Sequence, residues 1–146
     1  MLAAVDSTVD RLGQFLRVLA DVGGHGIVVN SRQSVDDAVA DLRRSLGADI
    51  NVVVVRGRFA VAENGAVYVD SADIGDRADI VRAEHVAITV PRDSVVPTMH
   101  EAMRLVPKDS ACGWFLSGPS KTADIEQSLV IGAQGARTLH VLIEAV

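Results

Sequence analysis

Apolar residues recur along this chain with two different periods, and the switches between them outline the expected fold. From position 7 to 22, Val9, Leu12, Phe15, Leu16, Leu19 and Val22 fall at helical spacing. Ser7 with Asp10 makes a capping-box-like start and Gly23-Gly24 a stop, so the segment reads as an amphipathic helix. Residues 27–29 form a short buried-strand candidate. Ser34 and Asp37 then open a second helix whose Val35, Ala38, Val39, Leu42 and Leu46 share one face, and Gly47 closes it. The β-branched run at 50–55 reads as a fully buried strand. Strand, helix and strand in this order predict an α/β fold with a right-handed crossover.

The second half continues the alternation. Residues 59–69 read as two strands around Glu63-Asn64-Gly65, because Asn-Gly is the pair most favoured in a tight hairpin. Residues 70–79 carry acids at Asp70, Asp73, Asp76 and Asp79 without the spacing of a calcium loop, so they read as a solvated surface segment. A strand at 85–90 ends at Pro91. A helix is expected over 94–106 with Pro97 near its first turn, a strand over 113–117, a helix over 120–134 and a closing strand over 138–143.

With 146 residues, the chain is the size of one domain, 1–146. Its apolar content is mostly Val, Ala, Leu and Ile, which suits buried parallel strands under helices. The net charge of -5 argues against nucleic acid as a partner, since a phosphate backbone is held by clustered Lys and Arg. Cys112 is the only cysteine, which excludes an intrachain disulfide and a Cys-rich zinc or iron-sulfur site and fits a reducing cytoplasm. Apolar runs such as 52–55 are too short to cross a bilayer, and the first five residues lack the features of a signal peptide. A soluble cytoplasmic protein is expected, with no membrane partner.

Candidate chemistry concentrates in FLSGPSKTADIEQSLVIGAQGARTLHVLIE, residues 115–144. A Gly-containing turn leading into a helix presents unpaired backbone N–H groups and a partial positive charge, which together cradle anions. Ser117, Gly118, Ser120, Lys121 and Thr122 would supply hydroxyls, a close backbone approach and a cation. A Walker A loop is excluded, because Pro119 and Ser120 stand where its Lys and Ser/Thr belong after Gly113 and Gly118. The competing reading is that Ser120 or Thr122 caps the helix while Asp124 and Glu126 complement its dipole. Those acids would weaken anion binding and suit a proton acceptor, a cation or a network that fixes the loop.

The block SGPSKTADIEQSLVIGAQGARTLHVLI resembles the signature of the LUD (lactate-utilisation) domain family. FAVAENGAVYV is similar to the family's Ala-Glu-Thr-Gly hairpin, EHVAITVPRDSVVPTMHEAM to its histidine-containing strand and following helix, and FLRVLADVGGHGIVVNSRQSVDDAVADL to its less specific amino-terminal portion. The resemblance implies a mostly parallel sheet flanked by helices, related to the NagB/RpiA/CoA-transferase group, with a β-hairpin insertion around Glu63 to Gly65. It also implies a non-redox subunit in the oxidation of L-lactate to pyruvate, with the iron-sulfur chemistry in partner subunits and no cofactor or metal in this chain. Relatives typically carry another strand-helix unit where only Arg56-Gly57-Arg58 intervenes here, a shortening that could expose a surface for a second copy and so a homo-oligomer.

By position in those motifs, Glu63 matches the acid of the family hairpin and His85 its histidine. The first would act as base or nucleophile in an isomerase or acyl/CoA-transferase reaction, the second as a proton shuttle. A plain turn acid and a hydrogen-bonded structural histidine are the competing readings. Asn64, Gly65, Ser117, Gly118, Ser120, Lys121, Thr122, Asp124 and Glu126 are the candidate ligand-binding residues, for a small carboxylate or phosphate-bearing molecule held at the carboxyl ends of the strands. His25, His100 and His140 show no metal-ligand spacing, and Arg56 and Arg58 read as solvating a shortened loop.

Overall fold

The computed structural model describes residues 7–29, 34–47, 52–74, 84–109, 113–117, 121–124, 129–131 and 138–144. Its elements are α1 (Ser7–Asp21), β1 (His25–Val29), α2 (Val35–Leu46), β2 (Val52–Arg56), β3 (Phe59–Val61), β4 (Ala66–Asp70), a 3₁₀ turn (Ser71–Asp73), β5 (His85–Pro91), β6 (Val95–Val96), α3 (Met99–Leu105), β7 (Gly113–Leu116), β8 (Lys121–Asp124), β9 (Leu129–Ile131) and β10 (Thr138–Glu144). The α/β class read from the sequence holds. Four strands make an all-parallel first sheet in the order β1-β10-β5-β2. The crossover from β1 through α2 to β2 therefore skips two strands.

A second sheet, in the order β6-β3-β4-β7-β8-β9, is antiparallel except where β3 meets β6. The two sheets face each other across one core. Val55, Val86, Ile88, Val90, Leu139, Val141 and Ile143 from the first sheet meet Ala60, Val67, Val69, Val95 and Leu116 from the second. α1 adds Leu12, Phe15 and Leu19 to the same core. The outer face of the first sheet packs on Ala38, Val39 and Leu42 of α2, and that of the second, with stacked Phe59 and Tyr68, on Ala102 of α3. Burial on both faces explains the unbroken apolar run at 86–88 in β5, whereas β2, expected to be fully buried, is an edge strand whose Val54 is exposed.

Gly57 is where the chain leaves one sheet for the other. A Cβ there would lie 2.6 Å from Val67 Cγ1 and 2.8 Å from Ile88 Cγ2, so only glycine passes between the sheets without displacing them. Its N–H donates to Thr89 O of the first sheet, and the next N–H, of Arg58, to Tyr68 O of the second.

Three sequence expectations are corrected. The helix expected over 94–106 is confined to Met99–Leu105, because residues 95–96 extend to pair with β3. Pro97 disfavours helix at the residue before it, and Thr98 then caps α3 by accepting from Glu101 N at 3.2 Å. The helix expected over 120–134 is replaced by β8 and β9 in the residues described there. The open side of β7 offers ladder partners, pairing Phe115 with Ala123 and Leu116 with Thr122, and tertiary pairing overrides the helical spacing. Finally, the acidic segment is not simply solvated. Asp70 is buried, accepts from Tyr68 Oη at 2.6 Å and from Ala72 N at 3.0 Å, and faces Arg58, whose Nε donates to Asp73 at 2.7 Å. Arg58 thus binds two acids instead of solvating a loop. Asp76 and Asp79 lie outside the described residues.

Candidate functional site

The hairpin between β3 and β4 is the nucleus of the site. Its loop, residues 62–65, is longer than the two-residue turn that Asn-Gly suggests: Gly65 N donates to Val61 O at 3.0 Å, and only Gly65 has a positive φ, 71°. A two-residue type I′ turn would need positive φ at Asn64 as well. Gly65 also lies against α1, where a Cβ would be 3.0 Å from Leu19 N, so the loop is pressed onto the helix backbone. Asn64 Oδ1 accepts from Ala66 N at 3.0 Å and closes the loop from within.

Two further elements meet this loop. Ser117, just past β7, donates from Oγ to Asn64 O at 3.0 Å. Met99 N, at the start of α3, donates to Glu63 Oε1 at 3.5 Å, leaving the exposed Glu63 carboxylate open to solvent. Because Val67 pairs with Leu116 and Leu116 with Thr122, the loop, Ser117 and the start of β8 at Lys121 and Thr122 all lie at one end of the second sheet. Glu63, Asn64, Gly65, Ser117, Lys121 and Thr122 are therefore brought together, and Asp124 lies two residues further along β8. Gly118, Ser120 and Glu126 lie outside the described residues. With β8 extended from Lys121, the helix-start origin proposed for an anion cradle is lost there.

Sequence reasoning missed α3 as a neighbour of this end. Beyond its first amide, His100 and Arg104, 3.3 Å apart, line an open groove of about 370 Å³ with Val96, Glu101 and Leu105. Arg104 supplies a cation to that groove, beside Glu101. No local signal pointed to this, because the helix was expected to begin five residues earlier.

His85 is elsewhere. It opens β5 at the amino end of the first sheet, paired with Thr138 and Val52, which open their own strands. His85 therefore does not lie at the carboxyl end of its strand, where the candidate site was expected. His85 Nδ1 and His140 Nε2 both bond Thr138 Oγ1, the latter at 3.0 Å, and the His140 ring stacks on His25 with centroids 5.1 Å apart. Burial, then the nearby His25 and His85, lowers the His140 pKa from its ordinary 6.5 to about 4. The sequence carried one hint of this cluster: Thr138 and His140, two apart on a strand, must share a face. Among the described residues no three His, Cys, Asp or Glu side chains are arranged to hold a metal ion, and no helix is long and apolar enough to cross a membrane.

Comparison with known proteins agrees with this architecture. The LUD domain family matches residues 14–143. The chain is similar to lactate utilization protein C 1 of Bacillus mycoides, 30% identical over 117 residues covering 74% of this chain and 49% of that protein. It is also similar to lactate utilization protein C of Bacillus subtilis, 32% identical over 102 residues covering 64% of this chain and 42% of that protein. The chain thus spans about half the length of the curated relatives it matches. In fold it is similar to the crystal structure of a DUF162 family protein from Deinococcus radiodurans, with a TM-score of 0.65, 19% identity, and coverage of 94% of this chain and 98% of that one. Matched from its first helix to its last strand, the chain belongs to the LUD domain family.

Proposed function

We propose that this protein is an accessory, non-redox component of L-lactate utilisation, acting beside iron-sulfur subunits that carry the electrons from lactate to pyruvate. The observation that carries this reading is membership of the LUD family together with similarity to proteins named lactate utilization protein C. In this reading the chain works in the cytoplasm as a homo-oligomer, without a cofactor of its own. Its contact with a small carboxylate or phosphate-bearing ligand is the end of the second sheet, where the Glu63 loop meets Ser117, the start of β8 and the first amide of α3. Lys121 supplies positive charge for an oxyanion, and Glu63 sets its orientation or takes its proton.

The test is genetic first. A host strain lacking the chain should lose growth on L-lactate while growing normally on glucose, and the wild-type chain should restore it together with co-purifying iron-sulfur proteins. Undiminished growth on L-lactate would sink the proposal. Titration calorimetry with L-lactate and with inorganic phosphate then examines the site, where Lys121→Ala should weaken binding at least tenfold, a loss of about 1.4 kcal/mol. A second reading, an isomerase or acyl/CoA-transferase-like enzyme, is favoured by one feature: the Glu63 carboxylate is exposed and reachable by an acyl donor. A borohydride-sensitive thioester on Glu63 after incubation with an acyl-CoA would support it. A chain that fails both tests is a structural assembly module.

A further inference from the structure

We propose that the histidines at the amino end of the first sheet form an acid-opened latch: proton uptake there releases the edge strand β1 from β10 while the second sheet stays packed. The inference stands apart from the functional proposal above.

Three imidazoles come from three neighbouring strands, His25 from β1, His140 from β10 and His85 from β5. The Thr138 hydroxyl lies between His85 Nδ1 and His140 Nε2. A hydroxyl has one hydrogen, so it donates to one ring and accepts from the other, an arrangement that neutral rings satisfy. Once both rings carry two N–H groups, the hydroxyl hydrogen loses its acceptor. The stacked His25 and His140 rings, 5.1 Å apart, would then also bear like charges, and His140 is only 6% exposed.

Among the described residues no carboxylate is paired with the imidazoles to offset that charge. From α2, Arg43 donates to Val52 O in the strand beside His85, a fixed cation at the same sheet end. Asp41 and Arg44 of α2 are exposed and paired with each other. Asp21 at the end of α1 and Glu84 before β5 are exposed, the latter engaged through its carbonyl with Thr138 N. β1 is also weakly anchored, since it pairs with β10 alone and Val29 is its one buried residue. Such edges open first.

The sign is set by His140. Its pKa is lower folded, about 4, than unfolded, so the stability it permits is complete above about pH 6.5 and is lost as the pH falls toward 4. Hydrogen exchange of the full chain at about pH 7 and pH 5, corrected for intrinsic rates, tests the latch. The amides of β1 and of β10 facing it should lose about tenfold protection, while β3, β4 and β7 keep theirs. His140→Gln should abolish the difference. Should that variant fail to fold, His25→Gln at the exposed partner ring should move the opening to lower pH. Protection that is unchanged by acid, is lost equally in both sheets, or is lost equally in a folded variant would overturn the proposal.

Discussion

The two clusters of this molecule that gather polar chemistry are built in opposite ways. At the amino end of the first sheet, His25, His85, His140 and Thr138 are fixed by the strand ladder itself, because each sits at or near the first paired residue of its strand. At the end of the second sheet, the polar groups sit on connections: the 62–65 loop, Ser117 beyond β7, and the cap of α3. Groups set into a parallel ladder are shielded and shift in pKa, as His140 does. Groups on loops stay exposed and free to meet a ligand, as Glu63 does. Function of the binding kind is therefore sought at the second sheet, and a response to pH at the first.

The comparison assumes that both clusters hang from one shared core, and the largest expected effect tests that. Ile88 is fully buried between the sheets, so Ile88→Ala should cost about 4 kcal/mol and lower the urea midpoint in a single transition seen by all probes. Two separated transitions would show that the sheets unfold independently. Gly65→Ala comes next, since φ of 71° and the 3.0 Å approach to Leu19 N both resist a side chain; a loss of about 2 kcal/mol is expected. Thr98→Ala should remove the α3 cap for about 1 kcal/mol and loosen Met99, the amide that meets Glu63. The smallest stability effect belongs to Glu63→Gln, within about 0.5 kcal/mol by thermal melt because the side chain is exposed. That variant should nonetheless impair lactate-dependent growth. A large fall in melting temperature would instead make Glu63 a structural residue.

Much of the fold was legible because the periods were clean. The apolar stripe through Leu12, Phe15 and Leu19 predicted α1, the β-branched run predicted β2, and Glu63-Asn64-Gly65 marked a true hairpin. Legibility failed where two periods competed. Residues 121–124 sit in a stretch whose spacing suits a helix, but β7 presents unpaired backbone groups beside them, and pairing decides. Of the candidate site, Asn64, Gly65 and Ser117 were named from separate motifs as ligand-binding candidates, and the fold joins Ser117 to Asn64 by a hydrogen bond that no motif announces. His85 was placed with Glu63 because a motif assigns residue types and not which end of a strand faces which sheet.

Local patterning by itself determined the α/β class, the positions of most strands and the need for glycine at 65, because each follows from neighbours along the chain. Only the folded arrangement decided that a second sheet would form, that Gly57 would thread between the two, and that His25, His85 and His140 would meet. Those outcomes depend on strand order and register, which are set by the burial of whole faces and leave no mark on any short stretch of residues.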